Sequence, residues 1–442
     1  MLRENARRYG DIVHYRAINR KIYQLNHPDL IQELLLNDEP RNHRHMVMQR
    51  SRFILGNGLL TSEEPLHMRQ RRMAAPAFHR HRIAAYGDVI ARYAAEMTGQ
   101  WQPGALDMHP EMLLLALRIV GKCLFDTDAK SEVKRISAAV DAFMGFLPLA
   151  FLPFSKHLEK LPFGAMANIR KGGMEVDAII YGMIAERRKS PGDRGDLLSM
   201  LLEAVDTEEA ESNNASPVTP QMPAHMSDKQ VRDECLTVML AGHETTANGL
   251  SFALWMLAKH PEAQEKLHEE AVRVLGSRPP TASDFPSLRY AYMVFAEALR
   301  LFPPVWIIGR TCGPESYDFR GFRISPGAIL IAPQVVVHRD PRFWPDPERF
   351  DPLRFAPEDK PSDGTSSNGR ATRPRFAYYP FGAGSRQCIG EGLAWMEGVF
   401  VLATIFRNWR MRPAPGAPET LPMSPMISLR PKQGVPLVIE RR

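Results

Sequence analysis

A helical pattern that opens at Ser227-Asp228-Lys229-Gln230 and runs to about Lys259 most constrains what this 442-residue chain can fold into. Ser and Gln at that spacing can each satisfy the other's free backbone N–H, so the opening reads as a capping box. His260-Pro261 closes the pattern, because proline lacks the donor and clashes with the preceding turn. At 1.5 Å per residue such a helix is about 45 Å long, enough to cross a large domain. Helical patterns dominate from about residue 66 to 302 and return over about 391–408. Alternating apolar and polar residues at Tyr9–Tyr15 and Lys21–Leu25 predict two strands joined by a turn. Further strand-like runs lie at Tyr317–Phe322, Ala328–Ala332 and Leu437–Ile439. The expected fold is therefore mainly α, with a smaller β-rich part drawn from about 1–60 and 305–442. No linker divides the chain, so one large domain is expected despite a length that would allow two or three.

The middle of the long helix carries Ala241-Gly242-His243-Glu244-Thr245-Thr246. Glycine inside a helix costs about 1 kcal/mol against alanine, so Gly242 answers a local need. A threonine hydroxyl can bond back to the helix backbone and bend it, opening a groove. A zinc-protease reading of His243-Glu244 requires a second histidine four residues on, and that position is Ala247. A membrane span is excluded by the same His and Glu.

The second informative stretch is Phe381-Gly382-Ala383-Gly384-Ser385-Arg386-Gln387-Cys388-Ile389-Gly390, followed by an apolar helical pattern. Cys388 has no partner at a disulfide or zinc spacing. A single thiolate at a helix N-terminus is favoured by free N–H groups and the helix dipole, and Arg386 adds positive charge. Such a thiolate suits axial ligation of haem iron. The other cysteines (Cys123, Cys235, Cys312) form no clustered pattern, as expected in a reducing compartment.

These residues resemble the haem-binding signature of the cytochromes P-450, which Phe381, Gly384, Arg386, Cys388 and Gly390 meet at every fixed position. A buried structural cysteine would be the default for an isolated residue; five matched positions reverse that preference. The resemblance implies the family fold, haem b with Cys388 as the iron ligand, and cofactor contacts from Phe381, Arg386 and Gly390. It makes Glu244 and Thr245 the acid–alcohol pair that delivers protons to bound oxygen. His67 and Arg71, four apart on one helix face, match the family's propionate clamp, with Arg310 and Arg386 as further donors. Glu297 and Arg300 of Glu297-Ala298-Leu299-Arg300, with Arg349 of Pro347-Glu348-Arg349-Phe350, match a structural charge network that shapes the cysteine loop. His338 is expected to be structural, a propionate contact being the alternative. By family position the substrate pocket is walled by Phe53, Ile54, Leu55, Leu240, Ala241, Val305, Trp306, Ile307, Met426 and Ile427. Nearly all are apolar, so a lipophilic substrate is expected.

The implied activity is monooxygenation of a C–H bond with O2 and electrons originating in NAD(P)H. The chain stops after the haem domain, which implies a separate ferredoxin, flavodoxin or flavoprotein reductase. Motif wording looks most like the fatty-acid-hydroxylating branch, with terpenoid or steroid-like substrates as the other class. A peroxide-driven hydroxylase or isomerase on this fold tends to lose the acid–alcohol pair, which is present here. A haem gas sensor or carrier would need a signalling domain that the sequence does not show.

A formal charge of +6 comes with no nucleic-acid-binding motif, so no nucleic-acid partner is expected. The basic run Arg69, Arg71, Arg72, Arg80 and Arg82 reads as a solvated helix face or as a dock for an acidic electron-transfer protein. Charged residues follow Met1 at once, so neither a secretory signal nor a transmembrane anchor is expected, and the location is expected to be cytoplasmic. The chain starts close to its first strand, which leaves room for a missing N-terminal segment. The apolar, proline-broken Phe143–Phe154 reads as core, a channel lid or a membrane-touching patch. Thr207–Met226 and Glu358–Arg375 are too polar to offset their ordering entropy and read as loops.

Overall fold

The structure is a computed structural model that describes residues 1–442 except 18, 38–40, 128–164, 206–224 and 358–372. Phe143–Phe154, and nearly all of the two expected loops, lie outside the described residues. The chain forms two compact units, one of Met1–Met46, Ala94–Met112 and Thr245–Arg442, the other of Val47–Tyr93 and Leu113–Glu244.

In the first unit a five-stranded sheet joins the two ends of the chain. Its order is 12–17, 20–25, 329–332, 308–312 and 42–44. Ile12–Ala17 and Arg20–Leu25 form the expected hairpin, pairing Ile12 with Leu25 through Ala17 with Arg20. Ile329–Ala332 runs parallel to the second hairpin strand and antiparallel to Ile308–Cys312. Every residue of 329–332 is buried, as its unbroken apolar run requires of an interior strand. Leu25, Ile31, Leu34, Leu330, Ala332, Phe376 and Tyr379 fill the core beside this sheet. A three-stranded sheet orders Gly104–Asp107, Pro436–Arg441 and Trp409–Pro413. Its 104–107 strand falls inside the stretch read as helical, because four residues are too few for a period to show.

Two expectations are refined. A helix, Leu2–Tyr9, precedes the first strand. Tyr317–Phe322 is not one strand but part of a tight hairpin, Tyr317–Phe319 with Phe322–Ile324. Arg320 (φ 51°) and Gly321 (φ 83°) both take the left-handed conformation, which matches the twist of a two-residue hairpin turn.

The long helix spans Asp228–Lys259 without interruption, and its capping box forms as the sequence requires. The Gln230 N–H donates to Ser227 Oγ (3.3 Å), and the Ser227 N–H donates to Gln230 Oε1 (2.9 Å). In the second unit a Cβ on Gly242 would lie 2.8 Å from Val120 Cγ2, on the Met108–Phe125 helix. Close helix packing is therefore the local need that keeps glycine there.

Candidate active site

Cys388 sits between a short 3-10 turn, Gly384–Arg386, and the helix Glu391–Asn408. Gly382 and Gly384 have φ of 71° and 73°, the left-handed region that disfavours any side chain, so the loop needs glycine at both. The Gly382 N–H donates to the Tyr379 carbonyl (2.9 Å), and the Cys388 N–H donates to the Phe381 carbonyl (2.9 Å). That last bond closes the loop on itself and fixes the backbone beneath the sulfur. Gln387 Nε2 donates to Glu391 Oε2 (2.7 Å), tying the loop to the first turn of the following helix. Phe381 packs on Trp395 with ring centroids 5.4 Å apart, and Trp395 stacks on Tyr292 at 4.4 Å. Three of the four cysteines are buried; Cys388 is exposed. A thiol presented outward from a loop braced by these contacts fits a ligand to an external metal and not a packing residue.

The brace extends into a buried charge network. Arg300 donates Nε and Nη2 to the two oxygens of Glu297 (2.6 and 2.7 Å), and neither side chain is exposed at all. Arg300 Nη1 also donates to the carbonyls of His338 (2.9 Å) and Pro347 (2.7 Å). The Asp351 N–H donates to Glu297 Oε1 (2.9 Å). The third side chain at Glu297 is Arg354, with Nε 3.4 Å from Oε1, and Arg354 also donates to the carbonyls of Pro345 (2.5 Å) and Asp346 (2.7 Å). Arg349, expected to fill this place, is exposed and gives the network its backbone carbonyl, at 3.2 Å from Arg300 Nη2. Arg354 takes the place for a simple reason. Pro347-Glu348-Arg349-Phe350 and Pro352-Leu353-Arg354-Phe355 share one pattern, and the 3-10 turn Pro352–Phe355 aims the second arginine inward.

His338 is fully buried and accepts the Tyr379 N–H on Nε2 (3.0 Å). Burial, reinforced by the charge of Arg300, pushes its pKa down to about 3, so the ring is neutral and acts as an acceptor near pH 7. The contacts are those of the structural role. Arg310 is buried on the 308–312 strand, and a Cβ on the adjacent Gly309 would meet His45 at 2.6 Å. Burial and the Arg310 charge hold His45 down at about 4, so Arg310 carries the positive charge at this place. His45 was not singled out in the sequence; no motif surrounds it.

Among the candidate pocket residues of this unit, Val305 is exposed and Trp306, Ile307, Met426 and Ile427 are half-buried. Trp306 Nε1 donates to the Met426 carbonyl (2.9 Å), which brings the two segments together and uses the indole's one donor. The Leu429 N–H donates to the Pro304 carbonyl (2.8 Å), reinforcing the same junction.

In the second unit His67 and Arg71 lie on the helix Leu66–Ala74. His67 is buried, with Nδ1 2.9 Å from Glu64 Oε1, while Glu64 Oε2 accepts the Met68 N–H (3.1 Å). Glu64 thus orients the ring and caps the helix start together. Phe53 (exposed) and Ile54 (half-buried) lie on the short helix Arg52–Leu55. On the long helix, Val238–Leu240, His243, Glu244, Thr246 and Ala247 are buried, whereas Ala241 is exposed and Gly242 and Thr245 are half-buried. Residues 241 and 245 share a helix face, so the helix has one accessible stripe at its centre.

A helical chain that presents one cysteine on a glycine-hinged loop, braced by a buried Glu–Arg pair, has the anatomy of a haem-thiolate enzyme. The family model for Cytochrome P450 matches residues 1–438. Cyclooctatin synthase of Streptomyces melanosporofaciens is 38% identical over 92% of this chain and 84% of its own length. Pentalenene oxygenase of Streptomyces avermitilis is 32% identical over 92% of this chain and 86% of its own. The solved structure described as retinoic acid bound cyanobacterial CYP120A1 superposes with a TM-score of 0.83 at 23% identity, covering 99% of this chain and 93% of that one. The chain belongs to the cytochrome P450 family. It is a P450 monooxygenase with the family's fold, and the family implies haem as cofactor. Among the described residues, no helix is long and apolar enough to cross a membrane.

Proposed function

We propose that this monooxygenase hydroxylates a C–H bond of a cyclic terpenoid, with electrons from NAD(P)H delivered by a separate ferredoxin, flavodoxin or flavoprotein reductase. The observation that carries this reading is the accessible apolar group Val305, Trp306, Ile307, Met426 and Ile427, in which no side chain is charged. A hydrocarbon-like substrate needs shape and dryness from such a wall, and a fatty-acid carboxylate would need a donor there. Terpenoid chemistry in the names of the two Streptomyces relatives favours the same class over fatty acids.

The residues of the first unit fit haem b, with an outward thiol at Cys388 and cationic side chains at Arg310 and Arg386 for its propionates; His67 and Arg71 of the second unit match the family's propionate clamp by sequence position. Bound there, it would supply the redox-active iron for oxygen activation. Cys388 would hold the iron as its thiolate ligand, on a loop whose N–H bonds leave it little freedom to recoil. Phe381 and Gly390 shape that loop. Overall, R–H, O2, two electrons and two protons give R–OH and water. The Glu244 carboxyl and the Thr245 Oγ1 hydroxyl, adjacent on the long helix, relay protons to the reacting oxygen. Val305, Trp306, Ile307, Met426 and Ile427 exclude bulk water and orient the substrate, and by family position Phe53, Ile54, Leu240 and Ala241 present apolar surface of the same kind in their own unit. His338, Glu297, Arg300 and Arg354 maintain the scaffold.

The test is optical and chemical. Pentalenene and related cyclic hydrocarbons should shift the ferric enzyme to high spin, and turnover should give monohydroxylated product. A shift with dodecanoic acid and none with any cyclic terpenoid would overturn the substrate assignment. Thr245→Ala should divert electrons to hydrogen peroxide; unchanged coupling would remove Thr245 from its role. Faster turnover with peroxide alone than with any electron donor would favour the peroxide-driven alternative.

A further inference from the structure

Asp233 and Glu234 lie about three helical turns before Glu244, outside every role described so far. Both are buried, and both face the segment that carries Phe53 and Ile54. Asp233 Oδ2 accepts the Asn57 N–H (2.8 Å), and Glu234 Oε2 accepts the Leu59 N–H (3.0 Å). The approach is very close. A Cβ on Gly56 would lie 2.0 Å from Asp233 Oδ1, and one on Gly58 would lie 2.6 Å from the Asp233 carbonyl oxygen. Gly56 is also left-handed, at φ 68°.

Neighbouring groups tighten the same junction. Arg232 Nη2 donates to the Ile54 carbonyl (3.0 Å), and Arg232 Nη1 donates to Asp233 Oδ1 (2.9 Å). Lys229 Nζ reaches Asp233 Oδ2 at 3.0 Å. Arg52 donates to the Thr61 carbonyl, and Gln70 Nε2 donates to the Asn57 carbonyl (2.6 Å). Gln70 belongs to the helix that carries His67 and Arg71. The two carboxyl groups thus lie where the long helix, the 52–62 segment and the 66–74 helix are all tied together.

We propose that Asp233 and Glu234 are positioning residues that pin the 52–62 segment to the long helix and so set how large a ligand the Phe53–Ile54 wall admits. This rests on the reading of Phe53 and Ile54 as substrate wall. Each carboxyl works through a backbone N–H, and neither touches the reacting atoms. Burial, with the Asp233 charge beside it and against the pull of the Leu59 N–H, pushes the Glu234 carboxyl up to about 8. A neutral Glu234 explains why glutamine should replace it with little loss and alanine should not.

The experiment uses the haem-loaded enzyme and its Glu234→Ala, Glu234→Gln and Asp233→Asn variants. Loss of one backbone hydrogen bond should speed amide exchange at Leu59 by about tenfold in Glu234→Ala, with wild-type exchange restored in Glu234→Gln. Asp233→Asn, which keeps an acceptor for the Asn57 N–H, should leave that amide's exchange within about threefold of wild type. Affinity for the bulky azole clotrimazole, read from its Soret shift, should fall about fivefold or more in Glu234→Ala, and affinity for imidazole should change less than about twofold. Unchanged exchange at Leu59, or equal changes for the two azoles, would overturn the proposal. Because neither azole is a terpenoid, these results stand whether or not the terpenoid assignment survives its own spin-shift test.

Discussion

The Glu297–Arg300 pair gives the sharpest test of how the cysteine loop is held. Glu297→Gln removes the charge that faces a guanidinium with no solvent exposure. It also replaces an oxygen that accepts from Arg300 or the Asp351 N–H by an amide donor. Breaking one partner of such a buried pair costs about 3–5 kcal/mol, because the other charge is left without water or counter-ion. Against a typical domain stability of about 5–15 kcal/mol, that is a large fraction. Arg354→Ala removes two charge-assisted bonds to the Pro345 and Asp346 carbonyls and should cost about 2–4 kcal/mol. Arg349→Ala, at an exposed side chain, should stay within about 0.5 kcal/mol of wild type. Urea unfolding followed by far-UV circular dichroism measures all three, with an unchanged slope as the check that only stability moved. A loss under about 1 kcal/mol for Glu297→Gln would refute the reasoning. So would a larger loss for Arg349→Ala than for Arg354→Ala.

Three further outcomes are expected. His338 is depressed from 6.5 to about 3 in the folded state, so between those values the unfolded chain binds the extra proton. Its contribution to stability is therefore complete above about pH 6.5 and lost as pH falls towards 3; His338→Gln should flatten that decline, and parallel pH profiles would refute it. Gly242→Ala should destabilise by about 1–2 kcal/mol, the overpacking against Val120 exceeding the helix-propensity gain. In a Val120→Ala background the same change should become neutral or stabilising in thermal unfolding; the same loss in both backgrounds would show that Val120 is not the cause. Haem-loaded Cys388→Ala should lose the red-shifted Soret band of the ferrous carbon-monoxide complex, and a retained band would remove Cys388 as the ligand.

Much of the molecule was legible because its chemistry is local in the chain. The capping box at Ser227 and Gln230, the stop at Pro261 and the length of the helix between them follow from backbone hydrogen bonding over four residues. The cysteine loop is likewise written in ten consecutive positions, two of whose glycines are demanded by positive φ. What failed was non-local. Two Pro-x-Arg-Phe words offered two arginines for Glu297, and only the path of the chain through the 352–355 turn selects Arg354. One local feature is hidden as well: apolar residues on both sides of Arg320-Gly321 read as one strand and mask the hairpin between them.

Sequence by itself determined the elements whose rules act between neighbours: helix starts and stops, the left-handed glycines, and one cysteine placed before a helix. Tertiary structure decided which distant groups share a buried volume. Asp233 and Glu234 gain their positions only when a segment 176 and 175 residues away in sequence lays the Asn57 and Leu59 N–H groups against them. The reason is energetic: a buried carboxyl must find a donor, and any segment the fold brings within reach can supply it.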